Sequence, residues 1–198
     1  MKIPTTPWNV LDSSLDRLAT VTAGLSKDDL ARPTPCSDWN VMQVLQHAAG
    51  DQVGYASALT GGPGPTYNPF DPSGDLAVDI RALVDDAIQT SAAAWSGVAS
   101  DSGPIETPLP VGPLAAEIGA AACGLDAAVH AWDVAVATGQ PSPLDDELSA
   151  ALLEAAHSLV EPLRAFAYAP ALPAQHGDTA TDALLRYLGR DPQWSSER

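Results

Sequence analysis

Two side chains of types that commonly bind metals lie four residues apart in the stretch 115–139, AAEIGAAACGLDAAVHAWDVAVATG. We predict that this stretch is one helix, which places Asp126 and His130 on the same face with Cβ atoms about 6 Å apart. A single metal ion could bind both side chains, although an ordinary Asp–His ion pair has the same spacing. A second histidine, His47, on another predicted helix favours the metal interpretation.

The composition excludes several classes of protein. The chain has 198 residues, 45% of them hydrophobic, which is enough for one domain with a sizeable core. A net charge of -16 would repel nucleic acids and anionic membrane surfaces. No apolar run approaches the roughly 20 residues of a membrane span, and the first ten residues do not resemble a signal peptide. Because only Cys36 and Cys123 are present, no disulfide framework is expected, and we predict a cytoplasmic protein without nucleic-acid or membrane partners.

The spacing of apolar residues predicts an all-α protein. Helices are predicted over residues 8–25, 40–59, 75–98, 115–139 and 179–188, with another that begins in the run QPSPLDDEL and ends near residue 167. We expect one domain over residues 1–198, with a bundle core at about 7–139 and a C-terminal helical extension at about 144–198.

The ends of the helices and their connections are also predicted. Asn40 and Gln43 are expected to form a capping box at the start of the second helix. Gly112 and Pro113 are expected at the N-cap and first-turn positions of the fourth. The Gly- and Pro-rich connection 61–74 is longer than antiparallel neighbours require, so we predict a crossover between parallel helices.

Two motifs carry a family resemblance. The strings TPCSDWNVMQVLQHAAG and LDAAVHAWDVAVATGQP, with DPQW near the end, resemble the mycothiol-dependent maleylpyruvate isomerase N-terminal-domain family of the DinB-like metalloprotein superfamily. The resemblance implies a four-helix bundle with a crossover connection and a divalent metal, commonly zinc, held between helices. It implies His47, Asp126 and His130 as the ligands, because the family has one histidine on the second helix and a Glu-x-x-x-His pair on the fourth.

Asp126 departs from the glutamate usual in that family. Its shorter side chain retracts the carboxylate by about 1.5 Å, comparable to the rise per residue of a helix. Three consequences are open: the bundle closes in, the carboxylate binds through water, or the site holds no metal.

Three protein ligands would leave one coordination position open, as in catalytic zinc sites. A low-molecular-weight thiol such as mycothiol, or a water, bound there would act as the nucleophile. Addition and loss of a thiol would give cis–trans isomerisation of a small-molecule substrate, addition alone would give S-transfer, and a bound hydroxide would give hydrolysis. The alternative hypothesis is a non-catalytic helical bundle that binds a small molecule, with or without metal. Either protein is expected to be a monomer or a homodimer.

Several nearby residues have both a structural and a functional interpretation. Asp51 could orient the ring of His47 or be a solvated charge, and Asp133 could hydrogen-bond near the site or face solvent. Cys36 precedes a helix but is predicted to be a small buried residue rather than a nucleophile. Tyr67 and Phe70 are expected to pin their loop to the bundle rather than to line a pocket. Surface positions are predicted for four further residues, although each arginine could anchor a carboxylate: His157, Arg164, Arg186 and Arg190.

Overall fold

The structure, a computed structural model, describes residues 3–75 and 79–196. Six α-helices form within these ranges: α1 (Asn9–Ala23), α2 (Val41–Thr60), α3 (Ile80–Ser96), α4 (Ala116–Thr138), α5 (Asp146–Ala167) and α6 (Ala180–Tyr187). The described residues form no strand, only two isolated bridges. The predicted all-α class, a DinB-like helical bundle, is confirmed.

The first four helices form a bundle with a crossover between α2 and α3. The Ser91 hydroxyl of α3 donates to Gln52 of α2, and one turn further along both helices Tyr55 packs against Trp95 with ring centroids 6.3 Å apart. Contacts that advance in the same direction along both helices show that α2 and α3 are parallel. The connection between them therefore returns along the bundle, as its length predicts.

Local chemistry explains where the helices begin. The predicted capping box is present at α2, where Asn40 accepts from the Gln43 amide at 3.0 Å and Gln43 accepts from the Asn40 amide at 3.1 Å. Helix α3 begins at Ile80, later than predicted, and the Asp79 carboxylate caps it by accepting from the Arg81 amide. Residues 76–78 of the predicted helix, including Leu76 of its apolar stripe, lie outside the described residues.

The predicted start of α4 at Gly112 and Pro113 is wrong. Ile105 and Leu114 exchange two backbone hydrogen bonds, 2.8 and 3.0 Å long, which hold Leu114 in an extended conformation. Gly112 has φ +79°, a left-handed conformation that differs from the extended one typical of N-cap residues. The helix therefore begins at Ala116.

Helix α4 is the central element of the fold. One of its faces packs with α1, α2 and α3, and the opposite face packs with α5 and α6. At Gly124 an added Cβ would lie 3.3 Å from the Leu11 Cα, so the glycine permits close packing against α1. By length and composition α4 could cross a membrane, but 83% of its most apolar window is buried inside the protein, as in the core helix of a bundle.

Candidate metal site

Helices α2 and α4 bring the three predicted ligands together. Oδ1 of Asp126 lies 3.3 Å from Nε2 of His47 and 3.4 Å from Nε2 of His130. One potential ligand atom from each of the three residues lies within 4.8 Å of the other two. The side chains line one end of a cavity, where a single cation could contact all of them.

The shorter acid reaches both histidines because α2 and α4 approach closely. The side-chain amide of Gln52 on α2 donates to the backbone carbonyl of Cys123 on α4 at 3.2 Å. Helix separation depends on the size of the side chains at the contact, and α4 is rich in alanine and glycine. Oδ1 of Asp126 thus lies within 3.4 Å of a ring nitrogen of each histidine despite the shorter side chain.

The spacing of the donor atoms leaves room for a small cation between the three side chains, and the same contacts form an Asp–His ion pair without one. Ligands bound at 2.0–2.1 Å to a tetrahedral zinc ion are about 3.3–3.4 Å apart, whereas charge-assisted hydrogen bonds are about 2.7–2.9 Å long. The two Asp126–histidine distances are near the first value, and the three donor atoms as a set lie within 4.8 Å of one another. The second oxygen of Asp126 is buried and has no partner among the described residues, an arrangement that is costly unless a cation satisfies it.

Hydrogen bonds on the far side of each imidazole direct Nε2 toward this centre. Nδ1 of His47 lies 2.8 Å from the carbonyl of Pro69, which can only accept, so Nδ1 carries a hydrogen and donates it. Nδ1 of His130 lies 2.9 Å from Oδ2 of Asp133. Such partners fix the orientation of metal-binding histidines.

The partner of His130 is itself held by an arginine that sequence analysis placed on the surface. The side chain of Arg190 is only 11% exposed, and it donates from Nε and Nη2 to the two oxygens of Asp133 at 2.9 and 2.8 Å. Asp133 is fully buried, so of its two interpretations the structure shows the one near the site. No sequence pattern assigned Arg190 to this position; the motif DPQW, which begins at the next residue, entered only as part of the family resemblance.

Asp51 has neither of its predicted roles. Nδ1 of His47 is bonded to Pro69, so Asp51 does not orient that ring, and its carboxyl is buried rather than solvated. It lines the cavity one helical turn beyond His47. Burial, and then the charge of Asp126, raise the pKa of Asp51 well above its usual range.

The charges at the centre reinforce one another. Burial alone would raise the pKa of Asp126, but His130 and His47 outweigh it and hold that pKa below its ordinary value. Burial also opposes a charged His130, yet Asp126 and Asp133 raise its pKa to about 9. The centre therefore stabilises positive charge between the two helices.

A cavity of about 600 Å³ extends from the three candidate ligands. The rings of Trp39 and Phe70 flank His47, with centroids 4.8 and 5.5 Å from its own. Phe70 therefore lines the cavity, contrary to prediction, while Tyr67 pins the loop as predicted by donating to the Gln46 carbonyl at 2.7 Å. 

The remaining candidates take no part in the metal centre. Cys36 also lines the cavity, but burial raises its pKa to about 11, so it is a thiol at neutral pH. His157 is exposed, as predicted. Arg186 is buried and pairs with Asp178, contrary to prediction.

Comparison with known proteins gives two findings. The family model of the mycothiol maleylpyruvate isomerase N-terminal domain matches residues 11–135, a range that contains the three candidate ligands but not Arg190. The chain is 32% identical over 181 residues to the uncharacterized protein Rv0738 of Mycobacterium tuberculosis (strain ATCC 25618 / H37Rv) and to the uncharacterized protein MT0763 of strain CDC 1551 / Oshkosh. Each alignment covers 88% of this chain and 92% of the relative. No solved structure matches the chain.

Proposed function

Because the chain belongs to the mycothiol maleylpyruvate isomerase N-terminal domain family, we propose that it is a divalent-metal-dependent enzyme that uses a low-molecular-weight thiol. The thiol is of the mycothiol kind, and the reaction is S-transfer to, or cis–trans isomerisation of, a small electrophile. The observation that carries the proposal is the convergence of His47, Asp126 and His130 at the end of a cavity. Two imidazoles and a carboxylate favour zinc and leave a coordination position for a thiol.

Each part of the site has a task in this proposal. A divalent cation held by the three residues would act as a Lewis acid that lowers the pKa of a thiol or water ligand. The Pro69 carbonyl and Asp133 keep the two Nε2 atoms directed at the centre. Trp39 and Phe70 cover one side of His47 and reduce the access of water. The rest of the cavity receives the electrophile.

Metal content tests the ligand assignment. Protein purified without chelator is expected to contain about one divalent ion per chain by plasma mass spectrometry, because the three protein ligands form one site. His47→Ala and His130→Ala each remove an imidazole and are expected to lose the ion. His176→Ala, at an exposed histidine in the loop before α6, is the matched control and keeps it. Full metal content in both site variants would overturn the assignment.

Turnover tests the reaction. The metal-loaded protein is incubated with mycothiol and a panel of Michael acceptors, epoxides and cis-alkenes, and thiol consumption and product geometry are followed by chromatography. Activity should disappear with chelator and return with zinc. Metal binding without any turnover, together with a ligand-dependent rise in melting temperature, would instead favour a non-catalytic binding protein.

A further inference from the structure

Two polar side chains in the cavity wall have no hydrogen-bond partner among the described residues. Building on the proposed function, we infer that Asp51 and Tyr55 form an oxyanion site, which donates two hydrogen bonds to the carbonyl oxygen of the electrophile. The electrophile is then an alkene conjugated to a carbonyl group. The inference comes from the position of both side chains on α2, from their burial and from the chemistry of thiol addition.

Asp51 and Tyr55 continue the face of α2 that carries His47. The three residues follow one another at intervals of four, which places them on one side of the helix, and all three line the cavity. Neighbouring side chains on such a face have Cβ atoms about 6 Å apart, so Asp51 lies one turn from the candidate metal ligand and Tyr55 lies two turns from it. One oxygen atom of a ligand can therefore accept from both Asp51 and Tyr55.

Both side chains are buried but unpaired. Asp51 is 9% exposed and Tyr55 is 1% exposed. Neither the carboxyl of Asp51 nor the hydroxyl of Tyr55 has a hydrogen-bond partner in the described part of the chain. Buried polar groups in proteins are nearly always paired, because an unpaired one is costly. Since the Tyr55 ring is packed in the core against Trp95, with centroids 6.3 Å apart, an oxygen atom supplied by a ligand is the missing partner.

Burial favours the neutral form of both groups, which is the form that donates a hydrogen bond. Burial is the largest cause of the raised pKa of Asp51, ahead of the charge of Asp126, and His130 opposes it by less. Burial also raises the pKa of Tyr55. A carboxyl group that its surroundings keep neutral can stabilise an oxyanion together with a tyrosine. The charge of Asp126 is partly offset, because this residue is paired with two histidines.

Thiol addition to a conjugated carbonyl produces the charge that this pair would stabilise. The electron pair of the thiolate forms a bond to the alkene carbon furthest from the carbonyl, and the electrons of the double bond move toward the carbonyl oxygen, which becomes an enolate oxyanion. Rotation about the former double bond and return of the electron pair expel the thiolate and complete a cis–trans isomerisation. In S-transfer the enolate carbon instead takes up, from solvent, the proton that the thiol lost. Asp51 and Tyr55 donate hydrogen bonds throughout and lose no proton.

A phenolate tests the site without metal, thiol or turnover, because its oxygen carries a charge like that of the enolate. 4-Nitrophenol is suitable, since it is partly ionised near neutral pH and only the phenolate is yellow. Titrated into the protein, both as purified and after chelation, the phenolate is expected to bind, and Tyr55→Phe should weaken binding about tenfold or more. Tyr187→Phe is the matched control and should not change binding, because that hydroxyl is bonded to Glu161 and Tyr187 does not line this cavity.

Two substitutions of Asp51 distinguish a neutral donor from a charged group. Asp51→Asn keeps a donor of the same shape, so the phenolate affinity should stay within about threefold of the original. Asp51→Leu removes the donor and should weaken binding about tenfold or more. Marked tightening in Asp51→Asn would show that Asp51 is ionised and would overturn the inference.

Three further results would also overturn the inference. They are no detectable binding of the phenolate, an unchanged affinity in Tyr55→Phe, and a loss of affinity confined to Tyr168→Phe. The last result would place the oxyanion at a different cavity tyrosine, the one near Arg190.

Turnover gives a second and independent measurement. In the assay of the proposed function, conjugated carbonyl compounds rather than epoxides should be converted, and Tyr55→Phe should lower kcat about 100-fold with little change in KM. Phenolate binding that depends on Tyr55, in a protein without turnover, would refute the proposed enzyme and leave the oxyanion site in place. Turnover without such binding would refute the oxyanion site alone.

Discussion

His130 holds a proton that a metal ion must displace. Burial disfavours the charged ring, but Asp126 and Asp133 raise its pKa to about 9, above the unfolded value of 6.5. Below pH 9 this imidazole is therefore protonated on both nitrogens in the metal-free protein. The hydrogen on Nδ1 stays in place because it is donated to Asp133. The hydrogen on Nε2 must leave before that nitrogen can bind a metal ion. Apparent zinc affinity should rise about tenfold per pH unit from pH 7 toward 9 and then level off.

Competition with a chromogenic chelator between pH 6.5 and 9.5 measures this dependence. Calorimetry at pH 7.5 in two buffers of different ionisation enthalpy should also show about one proton released per zinc. In Asp133→Asn one of the two acids that raise the pKa is gone, so the plateau should begin at lower pH. A flat affinity between pH 7 and 8.5 would show that His130 is neutral in the free protein.

The three candidate ligands could be predicted from residue types and spacing, whereas their supporting partners could not. Asp126 and His130 are four positions apart, so they lie on the same face of a helix whatever fold contains that helix. Pro69 acts through a backbone carbonyl, which every residue has and no sequence pattern distinguishes. Arg190 lies 57 positions from Asp133, and only the packing of the C-terminal segment brings them together.

The loop between α2 and α3 depends on a glycine for its position over the metal centre. A Cβ at Gly50 would lie 2.6 Å from Cβ of Pro69 and 3.3 Å from Tyr67, so the loop packs where only glycine leaves room. Gly50→Ala should displace the loop and weaken the hydrogen bond that Nδ1 of His47 donates to the Pro69 carbonyl. Loss of such a supporting contact lowers metal affinity by about 10–100-fold.

Gly54→Ala is the matched control for Gly50→Ala. It lies one turn later on α2, where the new Cβ would meet Pro108 at an ordinary 3.7 Å. We expect unchanged zinc affinity and a gain of up to about 1 kcal/mol in the free energy of unfolding from helix propensity. Zinc competition and urea unfolding of both variants provide the measurement. Equal zinc affinities would show that the loop does not support His47.

Helix periodicity and capping predicted the elements more reliably than their connections. The capping box of Asn40 and Gln43 is local and forms as expected. The start of α4 depends instead on pairing between Ile105 and Leu114, nine positions apart in a segment without regular periodicity. Nothing in the composition of that segment distinguishes a helical first turn at Gly112 from the extended conformation that forms.

At the scale of the whole molecule, one helix belongs to two cores. Trp132 and its neighbours on α4 pack with α5 and α6, while the other face of α4 closes the four-helix bundle. Arg190 adds a polar link between the C-terminal segment and the metal centre. We therefore infer that the bundle and the C-terminal extension unfold together as the single domain predicted from the sequence. The predicted monomeric or dimeric state and cytoplasmic location stay predictions.

Leu152→Ala tests this cooperation. Leu152 is fully buried in the second core and does not line the cavity, and its truncation should cost about 2–5 kcal/mol of unfolding free energy. If the cores are one unit, the slowest-exchanging amides of α2 and α3 lose the same protection as those of α5, because exchange there requires global unfolding. Hydrogen exchange followed by mass spectrometry resolves these helices.

Leu153→Ala, at the partly buried neighbouring position, is the control and should change protection less. Faster exchange confined to α5 and α6 would show two independent units, and the Arg190 link would then be too weak to couple the extension to the site.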